Sequence, residues 1–269
     1  CVCESWLRGH LALHSRRLPR PIDDDSRLHK GEAYNDSEVV KLEADAWTAY
    51  RHDNRRTSGS DCDIPAQPKL IWTREVSTRP DGPIATDWSL TNDSSRLPVT
   101  APTAAYGNVF VAIPHAQRLI ALDAETGEPR WQFELDGRPD APPSLAQGLC
   151  YISTRQGWVY ALKAKTGELA WRYLAAPAVE LITAYGQLES AWPVFGPPVV
   201  TGENIYFSAG RHPEAGGIFV YKLDAFSGNL MAKTELADDH KWRTADAKHY
   251  STTMNDTVNL SLVVDDAGR

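Results

Sequence analysis

The side chains with the most chemical potential fall in one stretch and in two of its neighbours. Gln187-Leu-Glu-Ser-Ala-Trp192 places an amide, the carboxylate of Glu189 and the indole of Trp192 close together. Arg211, just past a strand-like run, can add a cation. Together these groups could line a ligand pocket. In the competing arrangement Trp192 and Pro193 pack beneath their own loop and Glu189 pairs with a structural arginine. Arg155 and Trp158 flank the Gln156-Gly157 turn. A guanidinium and an indole so placed can recognise an anion or stack on a planar ring; alternatively the indole packs on a neighbouring unit. His212, His240 and His249 are spaced by 28 and 9 residues, which matches no ligand motif, so no metal site is expected. No catalytic residue is assigned, because the sequence lacks a serine nucleophile elbow, a phosphate-binding glycine loop and a His-Glu-x-x-His element.

What must hold these residues is written in a repeated phrase. Ala121-Leu-Asp-Ala-Glu-Thr-Gly127-Glu-Pro-Arg-Trp131 returns, displaced by 40 residues, as Ala161-Leu-Lys-Ala-Lys-Thr-Gly167-Glu-Leu-Ala-Trp171. A period of this size marks a repeat architecture whose units cannot bury a core alone. Each copy is built from short runs rich in β-branched and aromatic residues, such as Val109-Phe-Val-Ala-Ile113 and Trp158-Val-Tyr-Ala-Leu162, bounded by Gly, Pro and Asp. Such runs read as strands, and none carries a helical period. Gly127 and Gly167 can adopt the positive φ of a tight turn. Ala121 and Ala161 leave room for a neighbour, and Trp131 and Trp171 can pack across the gap between units with the indole N–H free to find a backbone acceptor.

Several antiparallel strands per 40 residues describe a propeller blade. The expected class is therefore all-β: a β-propeller of four-stranded antiparallel blades, here a partial or open set of about four. The clearest repeats lie near 98–135, 138–174 and 193–236. In the third, Lys222 stands for the alanine and Ala232 for the tryptophan, so this blade is expected to lack both halves of the tryptophan contact. Fragmentary units are expected from Trp47 to Trp72 and at Leu260-Ser-Leu-Val-Val264. Residues 1–45 read as a polar flank opening on Cys1-Val-Cys3, and 46–269 as the partial propeller. The insertion from Pro177 to Pro197 is where function is expected, since long ordered loops on repeat scaffolds commonly carry it.

Bulk properties exclude some classes. A net charge of −7 argues against a nucleic-acid partner. No stretch approaches the roughly 18 apolar residues of a transmembrane helix. Of the cysteines at 1, 3, 62 and 150, Cys150 falls in a strand and reads as a small buried hydrophobe. Cys1, Cys3 and Cys62 can include a disulfide in an exported protein. The chain reads as part of a longer protein, with a lipidated Cys1 as the rival explanation of its opening.

The Ala-Leu-Asp-x-x-Thr-Gly-x-x-x-Trp phrase resembles the tryptophan-docking repeat of pyrroloquinoline-quinone-like (PQQ-like, quinoprotein-type) β-propellers. Trp47-Thr-Ala-Tyr-Arg-His-Asp53, Gly186-Gln-Leu-Glu-Ser-Ala-Trp-Pro193 and Ala209-Gly-Arg211 are similar to uncharacterised planctomycete-type propeller proteins. The superfamily includes quinone-dependent dehydrogenases and an outer-membrane assembly lipoprotein. The resemblance therefore implies an extracytoplasmic place, in the periplasm or cell envelope. It also implies what a dehydrogenase needs: a tryptophan and a vicinal Cys-Cys disulfide around the quinone, with calcium and an Asp base. Adjacent cysteines are absent here, and only Trp158 could serve as the stacking residue. The expected function is a non-catalytic binding or scaffolding module for a protein partner or envelope component, without a cofactor. A small-ligand or carbohydrate-binding module and a PQQ- and calcium-dependent dehydrogenase fragment are the alternatives.

Overall fold

The computed structural model describes residues 20–36, 40–60, 62–63, 65–77, 98–184, 187–211, 216–236 and 262. Alternating apolar residues and positive-φ turns fold them into antiparallel sheets. Strands β1 (Arg20–Pro21) and β2 (Leu28–Lys30) precede the repeats. The first blade is β3 (Thr103–Ala105), β4 (Asn108–Ile113), β5 (Arg118–Asp123) and β6 (Pro129–Glu134). The second is β7 (Ser144–Ala146), β8 (Leu149–Ser153), β9 (Trp158–Lys163) and β10 (Leu169–Leu174). A link then carries β11 (Ala178–Val179) and the hairpin of β12 (Leu181–Ala184) and β13 (Gln187–Ser190). The third blade is β14 (Val199–Thr201), β15 (Asn204–Ala209), β16 (Ile218–Asp224) and β17 (Leu230–Leu236). Each blade pairs its four strands in sequence order, as in an up-and-down propeller blade.

Three blades are complete among the described residues, against an expected set of about four. The unit expected around Trp47–Trp72 contributes a bridge from Trp47 to Ala104 and the side chain of Trp72. The unit expected at 260–264 lies outside the described residues apart from Leu262.

The blades are joined by a directional tryptophan seam. Trp131 of the first blade donates its indole N–H to the Ala164 carbonyl of the second at 3.0 Å, and its ring lies over Gly167. Trp171 repeats this toward Ala225 O and Gly228 of the third blade, again at 3.0 Å. Trp72 does the same to Ala124 O and Gly127 of the first. The turn glycines have φ of +70°, +78° and +69°, and a Cβ on them would sit 2.5–2.7 Å from an indole atom. Glycine is therefore required twice over at these turns, by the backbone and by the ring above it. The expectation that the third blade lacks both halves of the contact is corrected. It lacks the tryptophan, because Ala232 pairs with Lys222, but it keeps the receiving turn, which is made by Ala225 and Gly228 rather than by the strand alanine.

The described part of the polar flank is also joined to the propeller. β2 pairs with β10 as a fifth strand of the second sheet, and β1 pairs with β11. Arg27 anchors this strap. Its side chain is 3% exposed and donates to the carbonyls of Leu174, Ala176 and Ile22 at 2.6–3.1 Å. A planar fork with several fixed donors suits a cluster of carbonyls.

Candidate functional site

Antiparallel order sends the turn between the second and third strands of each blade to the same end as the links between blades. Topology thereby gathers residues far apart in sequence: Arg138 and Asp140 from the first link, Arg155 from the β8–β9 turn, Glu189 from β13 and Arg211 after β15. Arg155 donates from Nε to Asp140 and from Nη1 to Glu189 Oε1 at 2.7 Å. Arg211 Nη2 donates to the other oxygen of Glu189 and to Ser190 O. Arg138 Nε reaches Asp140 Oδ1 at 2.8 Å. The backbone reinforces the contact, with Arg155 N donating to Arg138 O at 2.9 Å and Ser190 N to Arg155 O at 3.0 Å. The guanidiniums of Arg155 and Arg211 both lie 5.3 Å from the centre of the Phe195 ring.

The electrostatics follow from burial. Side-chain exposure is 3% for Arg155, 2% for Glu189 and 19% for Arg211. Burial opposes the charge on Arg155, but Asp140 and Glu189 outweigh it and hold its pKa above the ordinary arginine value. Buried charges persist when opposite charges and hydrogen bonds compensate them. This brace ties both inter-blade links and two blade turns into one assembly.

The structure therefore brings together Arg155, Glu189 and Arg211, and it turns their polar atoms toward one another. Trp192 is buried beneath the same loops. Its indole N–H donates to Gly216 O at 2.7 Å, and a Cβ on Gly216 would lie 2.9 Å from the ring. Gln187 pairs with Ala184 at the hairpin tip, and its side chain lies outside the described residues. Trp158 stands apart from the brace. Arg172 stacks over its ring at 4.4 Å and His29 meets it edge-on at 5.0 Å. Trp158 borders a cleft of about 560 Å³ on the same face, with Leu135, Leu174, Ala176 and Leu181 among its walls. His212, His240 and His249 lie outside the described residues, as do Cys1 and Cys3. Cys62 and Cys150 carry free thiols, and Cys150 is buried.

Asp140, Arg138, Phe195 and Arg27 were not singled out by sequence reasoning. Asp140, Phe195 and Arg27 meet partners distant in sequence, and Arg138 joins them through Asp140 and through its backbone carbonyl, which accepts from Arg155 N. For Arg138 and Asp140 the local signal was charge in an otherwise apolar, proline-rich link.

The residues present do not fit a quinone sandwich. Trp158 already carries a guanidinium on its ring, Arg155 is engaged by Asp140 and Glu189, and among the described residues no cysteine pair adjoins either. Among the described residues no cluster of three or more His, Cys, Asp or Glu could hold a metal ion.

The folded blades and tryptophan seams define a β-propeller repeat protein. A family model described as outer membrane protein assembly factor BamB matches residues 64–191. The dehydrogenase subunit of the quinone alcohol dehydrogenase of Gluconobacter oxydans is 27% identical over 171 residues, covering 58% of this chain and 21% of that protein. Outer membrane protein assembly factor BamB of Yersinia pestis is 28% identical over 162 residues, covering 60% of this chain and 38% of that protein. The chain thus matches well under half the length of either relative. Among solved structures, a europium-containing methanol dehydrogenase shares the fold, with a TM-score of 0.51 and 16% identity over 72% of this chain and 32% of that one. The chain thus has the β-propeller fold and is similar to PQQ-like, quinoprotein-type repeat proteins.

Proposed function

We propose that this chain is a non-catalytic PQQ-like propeller module that binds a protein partner in the bacterial cell envelope. The observation that carries this reading is the Arg155–Glu189–Arg211–Asp140 brace. The groups with most chemical capacity on the loop face bind each other and hold the links in place, leaving the surfaces around them for docking. The likeness to the Yersinia pestis assembly factor supports a periplasmic or envelope role. Among the described residues no helix is long and apolar enough to cross a membrane.

The likeness to the Gluconobacter oxydans dehydrogenase subunit keeps a quinone-dependent oxidoreductase as the second reading. The third, a small-ligand or carbohydrate-binding module, loses its expected contact at Trp192, whose ring is packed and whose N–H is bonded.

The test is a titration calorimetry experiment with the folded chain and pyrroloquinoline quinone, with and without calcium. The binding-module reading expects no saturable heat at micromolar concentrations. Stoichiometric binding would overturn it in favour of the oxidoreductase. In native envelope extracts, chemical cross-linking should then give one reproducible protein adduct, whereas repeated recovery of the chain alone counts against the reading.

A further inference from the structure

The cleft beside Trp158 has features that the brace does not explain. Its volume of about 560 Å³ is within the range of specific binding sites. Its walls are mainly aliphatic, from Leu135, Leu174, Ala176, Val179 and Leu181. The apolar surface continues onto the hairpin beside it. Cross-strand pairing puts Leu181, Thr183 and Leu188 on one face of β12–β13, and Ile182 and Glu189 on the other. The inner face is covered. On the outer face Leu181 is 53% exposed and Leu188 60%, and Val179, just before β12, is 66% exposed. Contiguous exposed apolar surface of this kind marks an interaction site.

Two further observations define the occupant. The first is the backbone. Glu180 O accepts from Ala191 N, so the even-numbered residues of β12 direct their backbone groups to β13. Leu181 and Thr183 direct theirs to the opposite edge, in line with two-residue β1 on Val179 and Ala178. Among the described residues no strand pairs with β12 on that edge. An edge that no described strand covers can accept an extended chain by main-chain pairing. The second is charge. The ionisable residues lining the cleft are Asp136 and Glu180, both carboxylates. Arg172 engages Asp136, while Glu180 is exposed and has no ion-pair partner among the described residues.

We propose that the cleft and the outer face of β12–β13 dock an extended segment of a partner protein in which apolar side chains alternate with lysine or arginine. The proposal rests on the binding-module reading and locates its site. Apolar side chains enter the cleft against Trp158 and Leu181, the main chain pairs with the β12 edge that no described strand covers, and a basic side chain meets Glu180.

The probe is a fluorescein-labelled heptapeptide of alternating lysine and leucine, with glutamate–leucine and lysine–serine counterparts, read by fluorescence anisotropy on the full chain. The lysine–leucine peptide should bind at least ~10-fold more tightly than either counterpart. Leu181→Asp, at an exposed site, should weaken it by ~10-fold through lost apolar contact. Glu180→Lys should weaken it by ~5-fold, the upper range for an exposed ion pair. Met231→Asp, exposed on β17 away from the cleft, should leave binding unchanged. Thermal melts of each variant confirm folding. Equal binding of the three peptides, no binding, or indifference to both cleft variants overturns the proposal. A benzophenone on the lysine–leucine peptide should label residues 178–190. Labelling confined to the third blade would sink this site while leaving a binding module intact, and saturable quinone binding would sink the module reading itself.

Discussion

Gly107 and Gly167 share a backbone conformation but differ in what lies above them, and this allows the tryptophan seam to be measured. Their φ values are +68° and +78°. A Cβ at Gly107 meets nothing within 4 Å, whereas at Gly167 it would lie 2.6 Å from Cδ2 of Trp131. Alanine at either site carries the left-handed strain of about 1 kcal/mol. At Gly167 the indole must also lift. That weakens its 3.0 Å bond to Ala164 O, worth about 1 kcal/mol, and exposes part of a half-buried ring, worth a further ~1–2 kcal/mol. Gly107→Ala should therefore cost about 1 kcal/mol and Gly167→Ala about 3–4 kcal/mol, read from urea midpoints at constant slope. In a Trp131→Ala background the clash vanishes, and Gly167→Ala should fall back to the Gly107→Ala value. Equal costs in the native background, or a Gly167→Ala penalty that survives removal of Trp131, would refute the seam as the cause.

The other predictions concern the brace, the strap and one histidine. Glu189→Gln should destabilise the chain by about 3–5 kcal/mol in urea, because Arg155 and Arg211 lose their shared carboxylate in a buried setting; a cost below ~1 kcal/mol would show that the brace is solvated. Trp192→Ala should cost about 3–5 kcal/mol as a buried aromatic truncation, and an unchanged melting temperature would return Trp192 to the list of binding residues. Arg27→Lys should cost about 2–3 kcal/mol, since an ammonium cannot serve the diverging carbonyls that the guanidinium reaches; hydrogen exchange at Leu28–Lys30 should accelerate, and unchanged protection there would refute the anchor. Burial and then Arg138 lower the His115 pKa below its ordinary 6.5. The neutral form is favoured in the folded chain, so the associated stability is present above pH 6.5 and is lost as pH falls through the folded value. An NMR titration midpoint at or above 6.5 would contradict this, and Arg138→Leu should move the midpoint upward.

The fold was legible because its signals are local. The 40-residue phrase, its turn glycines and its alternating strands are short-range patterns, and short-range backbone geometry makes blades from them. The same phrase predicted an absent contact in the third blade, and there it misled. The seam is received by a turn, Ala225 to Gly228, and that turn survives where the strand alanine has become Lys222. Trp72 lies in a segment without described strands, yet it caps the first blade as Trp131 caps the second.

The site was legible in part. Arg155, Glu189, Trp192 and Arg211 stood out as unusual residues in loops, and the sequence alone left open whether they face a ligand or one another. Only the tertiary structure decided that, because antiparallel order brings two inter-blade links and two turns to one end of the sheets. The carboxylates and guanidiniums meet there at low exposure, where an unpaired charge is costly, so they pair. The same holds for Arg27 and the strap, whose partners are backbone carbonyls almost 150 residues away. By itself the sequence determined the blade and its turns, since each depends on residues a few positions apart. Which side chains became a brace, and which apolar face stayed open beside Trp158, depended on contacts across long separations that no local pattern encodes.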